Sequence, residues 1–219
     1  RIIKAARELG LQTVAVYSEA DRGARHTLFA DEAVFIGPSE VAQSYLNVEQ
    51  ILWAAKTSGA EAIHPGYGFL SENASFAQAV VDAGLVWIGP SAEAIEKMGE
   101  KAEAKRLAQE SGVPLLPGFF SEESPSKEIL GEEAQKVGFP LLLKATFGGG
   151  GRGIRLVENL DELPQAIERA MSEAKGAFGS GKLMIERYLP AARHIEVQIL
   201  GDKYGHVIHL FERECTIQR

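Results

Sequence analysis

The sequence predicts an α/β protein: an open parallel sheet with helices on both faces over residues 1–98, followed by a smaller α+β unit. Three observations carry this. Up to Met98, short apolar runs rich in β-branched residues alternate with segments of helical periodicity, the order that builds parallel sheets. Several of those runs stop at glycine or proline, at Ile36-Gly37-Pro38, His64-Pro65-Gly66 and Ile88-Gly89-Pro90, as strands do where they end on a ligand crevice. Beyond Met98 the pattern changes, and Phe139 to Val157 reads as strand, glycine loop, strand.

In chain order, Ile2, Ile3, Ala6 and Leu9 repeat at helical spacing, and Thr13–Tyr17 is the first strand. Further strands read at Ala33–Ile36, Ala62–His64 and Val86–Ile88, with helices near Val48–Thr57, Ala74–Ala83 and Ala92–Met98. A doubly wound sheet has a strand before its first helix, and none precedes this one. At the other end Cys215–Arg219 carries neither a helix cap nor a polar tail, so the chain is expected to be an internal piece of something longer. The loop His64–Asn73 holds two glycines, an aromatic and polar residues running into a helix. It reads either as an anion site at a helix N-terminus or as a tight turn capped by Ser71 or Asn73.

A long charged helix is expected from Gly99 to Ser111, ended by Gly112 and Pro114. Its cations Lys97, Lys101, Lys105 and Arg106 interleave with Glu96, Glu100 and Glu103, and read as a solvated face with i,i+4 pairs. Residues 114–188 then form a small unit: a strand near Phe119, a loop at Ser121–Ser126, a helix at Lys127–Val137, strands at 140–145 and 153–158, a helix at 160–174 opened by Asn159, and a strand at 182–187. The stretch Lys182–Leu189 offers an apolar wall and a carboxylate, Glu186, which suits a nucleotide base; Glu186 also reads as a plain strand-end carboxylate. Finally His194–Leu200 alternates strictly, with His194, Glu196 and Gln198 on one face, and a Gly201–Gly205 turn returns the chain as His206–Glu214.

The stretch that carries chemistry is Lys144 followed by Gly148-Gly149-Gly150-Gly151-Arg152-Gly153. Consecutive glycines lose the most backbone entropy on ordering, and their usual purpose is to bring backbone N–H groups close to a phosphate. A lysine ending the preceding strand adds a point charge on the same group. Gly148, Gly150 and Gly153 also fit G-x-G-x-x-G, but that dinucleotide motif needs a helix directly after it, and Ile154-Arg155-Leu156-Val157 is a strand. Gly176 to Lys182 imitates a G-x-x-x-x-G-K-[ST] loop without its hydroxyl and after a helix. A flap between two strands is therefore the reading, set against a ligand-free surface hairpin.

Composition bounds the partners. With 45% apolar and 24% charged residues the 219-residue chain is of ordinary globular type, and its net charge of −7 disfavours nucleic acid and anionic membranes. An anionic ligand needs a local basic site. The single cysteine, Cys215, excludes an internal disulfide and suits a reducing compartment. No run approaches the roughly 18 apolar residues of a membrane helix, and no signal or transit segment is read at Arg1.

His64–Asn73, Met98-Gly99-Glu100-Lys101, Lys144 with Gly148–Gly153, Met184–Leu189, Arg193–Gln198 and Phe211–Arg219 stand in the order and spacing of biotin carboxylase, which the opening Thr13–Asp21 also resembles. The resemblance covers the whole chain and is strongest to the biotin-carboxylating subunits of acetyl-, propionyl- and methylcrotonyl-CoA carboxylases; pyruvate and urea carboxylases share most of these motifs. It implies an open parallel-sheet (Rossmann-like) N-terminal domain, 1–98 without its first strand, and a partial ATP-grasp domain, 99–219 with a lid at about 114–188, incomplete at both ends.

The resemblance further implies an ATP-grasp ligase that carboxylates carrier-bound biotin with bicarbonate through carboxyphosphate. Its cofactors are ATP, Mg2+ (or Mn2+) and biotin. Its partners are a biotin carboxyl carrier domain and a carboxyltransferase subunit, in a homo-oligomer located in a bacterial cytoplasm or a mitochondrial matrix. Position by position, Lys101 and Lys144 hold the nucleotide phosphates, and Gly150 and Gly151 belong to the flap with Gly148, Gly149, Arg152 and Gly153. Glu186, Arg187 and Leu189 contact the adenine side, and His194 and Gln218 complete the pocket. Glu100 and Arg187 stand where the family often has Asp and Lys, each keeping its charge. The magnesium carboxylates, the bicarbonate-binding basic residues and the base are expected beyond Arg219, so residues 1–219 alone are expected to bind nucleotide weakly without turning over. Another ATP-grasp ligase and a noncatalytic ATP-binding module are the alternatives.

Overall fold

The computed structural model describes every residue except 122–124, 147–152, 179–180 and 218–219, and the side chains of 177 and 178. It divides into two compact units, Arg1–Glu96 and Lys97–Arg219.

The first unit alternates strand and helix as its sequence pattern requires. It runs α1 (Ile2–Glu8), β1 (Val14–Ser18), α2 (Arg25–Phe29), β2 (Glu32–Gly37), α3 (Val48–Ser58), β3 (Ala62–Ile63), α4 (Ala74–Asp82) and β4 (Val86–Trp87). Among the described residues, hydrogen bonds tie the strands into two parallel pairs, β1 with β2 and β3 with β4, where the alternation suggests one sheet. The second pair is only two residues long on each side, Ala62 facing Val86 and Ile63 facing Trp87. α3 packs against β1 and β2, and α4 against β4. A small core gathers Leu70, Phe76 and Val80 with Ile51, Leu52 and Trp87, whose ring meets Phe76 edge-on at 5.5 Å. In the His64–Asn73 loop Asn73 is the cap: its Oδ1 accepts from the Phe76 N–H at 2.8 Å.

The division between the units falls within α5 (Ala92–Gly99). The two helices expected on either side of Met98 are both present: α5 runs through Gly99, Glu100 is extended (φ −92°, ψ 120°), and α6 starts at Lys101 and ends at Glu110. Glycine is a poor helix interior residue and a good place to stop, and Lys101 stands in the first turn of the second helix.

The second unit continues with β5 (Gly118–Phe119), α7 (Lys127–Val137), β6 (Leu141–Ala145), β7 (Ile154–Val157), α8 (Leu163–Phe178) and β8 (Leu183–Arg187). Its strands form an antiparallel sheet in the order β5-β8-β6-β7. Strict alternation decides which residues are buried against the helices. Leu141, Leu143 and Ala145 of β6, with Leu183 and Ile185 of β8, meet Leu130 and Ala134 of α7 and Leu163, Ile167 and Ala170 of α8 in the main core. The Ser126 Oγ accepts from the Ile129 N–H and caps α7. Asn159 caps the start of the next helical segment as expected, its Oδ1 accepting from Glu162 N–H while Glu162 Oε1 accepts from Asn159 Nδ2. The first turn is tight, with Leu163 N–H on Leu160 O at 3.2 Å, and α8 proper begins at Leu163. The expected hairpin of β9 (Ile195–Gly201) and β10 (Val207–Glu214) is present, with its register interrupted between His209 and Glu212.

Candidate functional site

The face of the second unit's sheet turned away from α7 and α8 is built by the same alternation. With Leu141, Leu143 and Ala145 committed to the core, Leu142 and Lys144 face the other way. On β8, Met184 and Glu186 share that face, Met184 opposite Lys144 and Glu186 opposite Leu142. Lys144 and Glu186 are therefore diagonal neighbours across an antiparallel ladder, a separation a lysine side chain spans. The Lys144 Nζ donates to Glu186 Oε2. From α6, Lys105 Nζ donates to the other oxygen, Oε1.

Glu186 is almost fully covered at 7% exposure, and each lysine side chain is about four-fifths buried. Burial pushes the Glu186 carboxyl up, but hydrogen bonds from Lys105 and Lys144 and their charges outweigh it, so the carboxyl is held below its usual range. Two ammonium groups against one carboxylate leave an excess of one positive charge in this cluster, beside the end of β6. That is the local basic site which a chain of net charge −7 needs for an anion.

The remaining sequence-predicted residues fall as follows. Lys101 is the first residue of α6, and its N–H donates to Thr146 O at 3.4 Å, joining that helix start to the end of β6. Gly153 opens β7 with φ +72°, a left-handed conformation that glycine adopts without strain, and its carbonyl accepts from the Ala145 N–H. Gly148, Gly149, Gly150, Gly151, Arg152 and Gln218 lie outside the described residues. Arg187 turns to the helix side of the sheet, where its Nη1 donates to Val137 O at 2.9 Å while its N–H donates to Pro117 O. Leu189 is half exposed. His194 enters β9 with its N–H on Thr216 Oγ1 and its carbonyl accepting from Cys215 N–H. The structure thus brings Lys144 and Glu186 into contact and sets the Arg187 side chain on the opposite face.

Two residues escaped the sequence reading. Lys105, expected on a solvated face, is instead drawn in by Glu186, because an almost buried carboxylate gains most from a second cation. Its i,i+4 spacing from Lys101 was the available signal. The neighbouring expectation holds for Arg106, which pairs with Glu103 and Glu110 along the helix. Thr146, the last described residue before the loop, is fully buried, and its Oγ1 has no hydrogen-bond partner among the described residues. Among those residues no group of three or more His, Cys, Asp or Glu could hold a metal ion, and no helix is long and apolar enough to cross a membrane.

Comparison with known proteins agrees with this layout. Residues 1–95 match the biotin carboxylase N-terminal domain family, and residues 100–219 match the family described as the carbamoyl-phosphate synthase L chain ATP-binding domain. The whole chain is 51% identical to the alpha subunit of mitochondrial methylcrotonoyl-CoA carboxylase of Oryza sativa subsp. japonica, and spans 30% of that protein. It is also 51% identical to mitochondrial pyruvate carboxylase of Mus musculus, of which it spans 19%. The biotin carboxylase domain dimer of Hydrogenobacter thermophilus 2-oxoglutarate carboxylase, solved with MgADP, ADP and bicarbonate, superposes on all of the chain with a TM-score of 0.90 and 49% identity; the chain spans 48% of it. The chain spans about half or less of each of these relatives. With a parallel α/β unit, a strand carrying Lys144 next to its end, and both stretches matched, this chain belongs to the biotin carboxylase family and joins that family's N-terminal domain to an ATP-grasp-type ATP-binding domain.

Proposed function

We propose that the protein containing this chain carboxylates carrier-bound biotin with bicarbonate at the expense of ATP, through carboxyphosphate, as the biotin carboxylase part of a biotin-dependent carboxylase. The observation that carries the proposal is the Lys144–Glu186–Lys105 cluster beside the end of β6, in a chain whose relatives are carboxylases. In this reading residues 1–98 are the N-terminal domain and 99–219 part of the ATP-grasp domain, with 114–188 as its lid.

The residues fit a nucleotide. A positive excess, a buried Thr146 hydroxyl and Lys144 next to the end of β6 supply what phosphate oxygens bind. Lys101 and Lys144 hold the phosphates, and the loop from Gly148 to Gly153 closes over them. Closure excludes water, which would otherwise hydrolyse a reactive acyl phosphate. Glu186, Arg187 and Leu189 form the adenine side, with His194 and Gln218 completing the pocket; the Arg187 side chain is held by Val137 O, which leaves it a supporting part. ATP supplies the phosphoryl group, and Mg2+ (or Mn2+) would neutralise its charge on carboxylates beyond Arg219. Catalysis by these residues is positioning and charge neutralisation.

The partners proposed are bicarbonate, a biotin carboxyl carrier domain and a carboxyltransferase subunit, in a homo-oligomer; the Hydrogenobacter relative is a dimer. The relatives include mitochondrial enzymes, and the proposed location is the mitochondrial matrix or a bacterial cytoplasm. The test is ATP cleavage by the full-length protein. Cleavage that requires bicarbonate, rises with added biotin and is indifferent to NADH supports the proposal. Cleavage indifferent to biotin assigns the protein to another ATP-grasp ligase reaction, and nucleotide binding without any cleavage to a noncatalytic module.

A further inference from the structure

Lys105 is the one member of the cluster that the nucleotide reading leaves without a task. It comes from α6, whereas Lys144 comes from β6, and the two lysines occupy different oxygens of the same carboxylate. If Lys144 binds phosphate, it must leave Glu186 Oε2 or divide its hydrogen bonds between Glu186 and the ligand. Either way the almost buried Glu186 loses part of its compensation, and an uncompensated buried carboxylate is strongly unfavourable.

We propose that Lys105 is a positioning residue for phosphate capture, which keeps Glu186 paired while Lys144 turns from that carboxylate to the nucleotide phosphates. This rests on the assignment of Lys144 as a phosphate ligand. Because Lys105 belongs to a separate element, it keeps its hold on Oε1 without following Lys144. The same helix begins at Lys101, whose N–H is on Thr146 O, so α6 is attached both to the end of β6 and, through Lys105, to β8. The bridge fixes the helix that carries one phosphate lysine against the strand that releases the other. Without Lys105, Glu186 retains Lys144 more tightly, and phosphates compete for it at a disadvantage. The loss should grow with the number of phosphates and leave the nucleoside untouched.

The experiment is calorimetric titration of the full-length protein with adenosine, ADP and MgATP, using wild type, Lys105→Met, Lys105→Arg and Lys144→Ala, with thermal melts alongside. Lys105→Met is expected to weaken MgATP and ADP about tenfold, the factor that corresponds to one charge-assisted hydrogen bond, and adenosine less than about twofold. Lys105→Arg is expected to restore most of the loss. In a Glu186→Gln background Lys105→Met should have little further effect, since its partner charge is gone. Equal weakening of adenosine and MgATP by Lys105→Met, with a lowered Tm, would show a merely structural bridge and overturn the inference. If Lys105→Met does not fold, Lys105→Gln keeps a donor for Glu186 without the charge and must show the same phosphate-dependent loss. Loss of MgATP affinity in Lys144→Ala but not in Lys105→Met overturns this inference alone. Wild-type affinity in Lys144→Ala overturns the phosphate assignment beneath it.

Discussion

Lys144 and Glu186 occupy diagonal positions on adjacent antiparallel strands, Lys144 across from Met184 and Glu186 across from Leu142, and their side chains join on the sheet face opposite the helices. Glu186 is thus already paired with two lysines, and under the proposed function a phosphate would gain Lys144 by exchange of partners. This arrangement has consequences for acid stability and for nucleotide affinity.

The depressed Glu186 carboxyl makes stability fall in acid. Burial raises its proton affinity, but the two lysines lower it further, so the folded state holds the proton less tightly than the unfolded chain. The stabilisation is therefore fully present above the unfolded value of about 4.3, and is lost as pH falls from there through the folded value. Glu186→Gln should give a lower stability near neutrality and a shallower acid limb in urea unfolding measured from about pH 6 to about pH 3. Asp21 and Asp31, also held low by their hydrogen bonds to Tyr45 and Thr13, keep part of the limb in place. An acid limb as steep in the variant as in the wild type would mean that Glu186 titrates alike in both states.

Lys144→Ala separates binding from stability. It removes one of two cations from Glu186, and because Lys105 remains, the cost in unfolding free energy should be only about 1–3 kcal/mol. MgATP affinity should fall about 10- to 100-fold, the range expected for losing a charge-assisted contact to phosphate. Denaturant melts and titration calorimetry on the same preparation check both. A large loss of stability with unchanged affinity would make the residue structural.

The antiparallel unit was legible because its information is local. Short apolar runs named β6 and β8, period-two alternation named β7 and the β9–β10 hairpin, and a glycine run between two strands named the loop. That Lys144 and Glu186 share a face and meet was not legible in the sequence, because it depends on the register of β6 with β8. The partner of Lys105 was hidden for the same reason, since Glu186 is 81 residues away, whereas its helix neighbours Glu103 and Glu110 offered Arg106 visible local pairs. α2 is five residues long, too short for a helical period to show, whereas the break between α5 and α6 was legible at Gly99. The direction of Arg187 was invisible because both faces of β8 are covered, so burial alternation gave no contrast there.

The capping of α4 offers a direct comparison between two residues that the sequence left equal. Asn73 Oδ1 holds the Phe76 N–H at 2.8 Å, whereas Ser71 contributes to the preceding turn through its backbone N–H on Gly68 O. Asn73→Ala should cost about 1 kcal/mol, and Ser71→Ala should stay within about 0.5 kcal/mol of wild type. Chemical denaturation of the two variants side by side decides it. Equal costs would mean that the turn, and not the cap, fixes the start of the helix.

Gly138 is where α7 hands the chain to β6, and two independent constraints reserve the position for glycine. Its backbone lies at φ +80°, ψ 162°, a region open almost only to glycine, and a Cβ there would run into the Arg187 guanidinium that donates to Val137 O. Gly138→Ala should therefore destabilise the protein by about 1–3 kcal/mol from backbone conformation alone, and by more while Arg187 is present. In an Arg187→Ala background the collision disappears and the backbone cost remains, so the double variant should recover part, and only part, of the loss. Full recovery would place the whole effect in the side-chain collision. No recovery would mean that Arg187 swings aside freely, in which case its bond to Val137 O does not hold it on the helix side of the sheet, and its guanidinium is available to the nucleotide face after all.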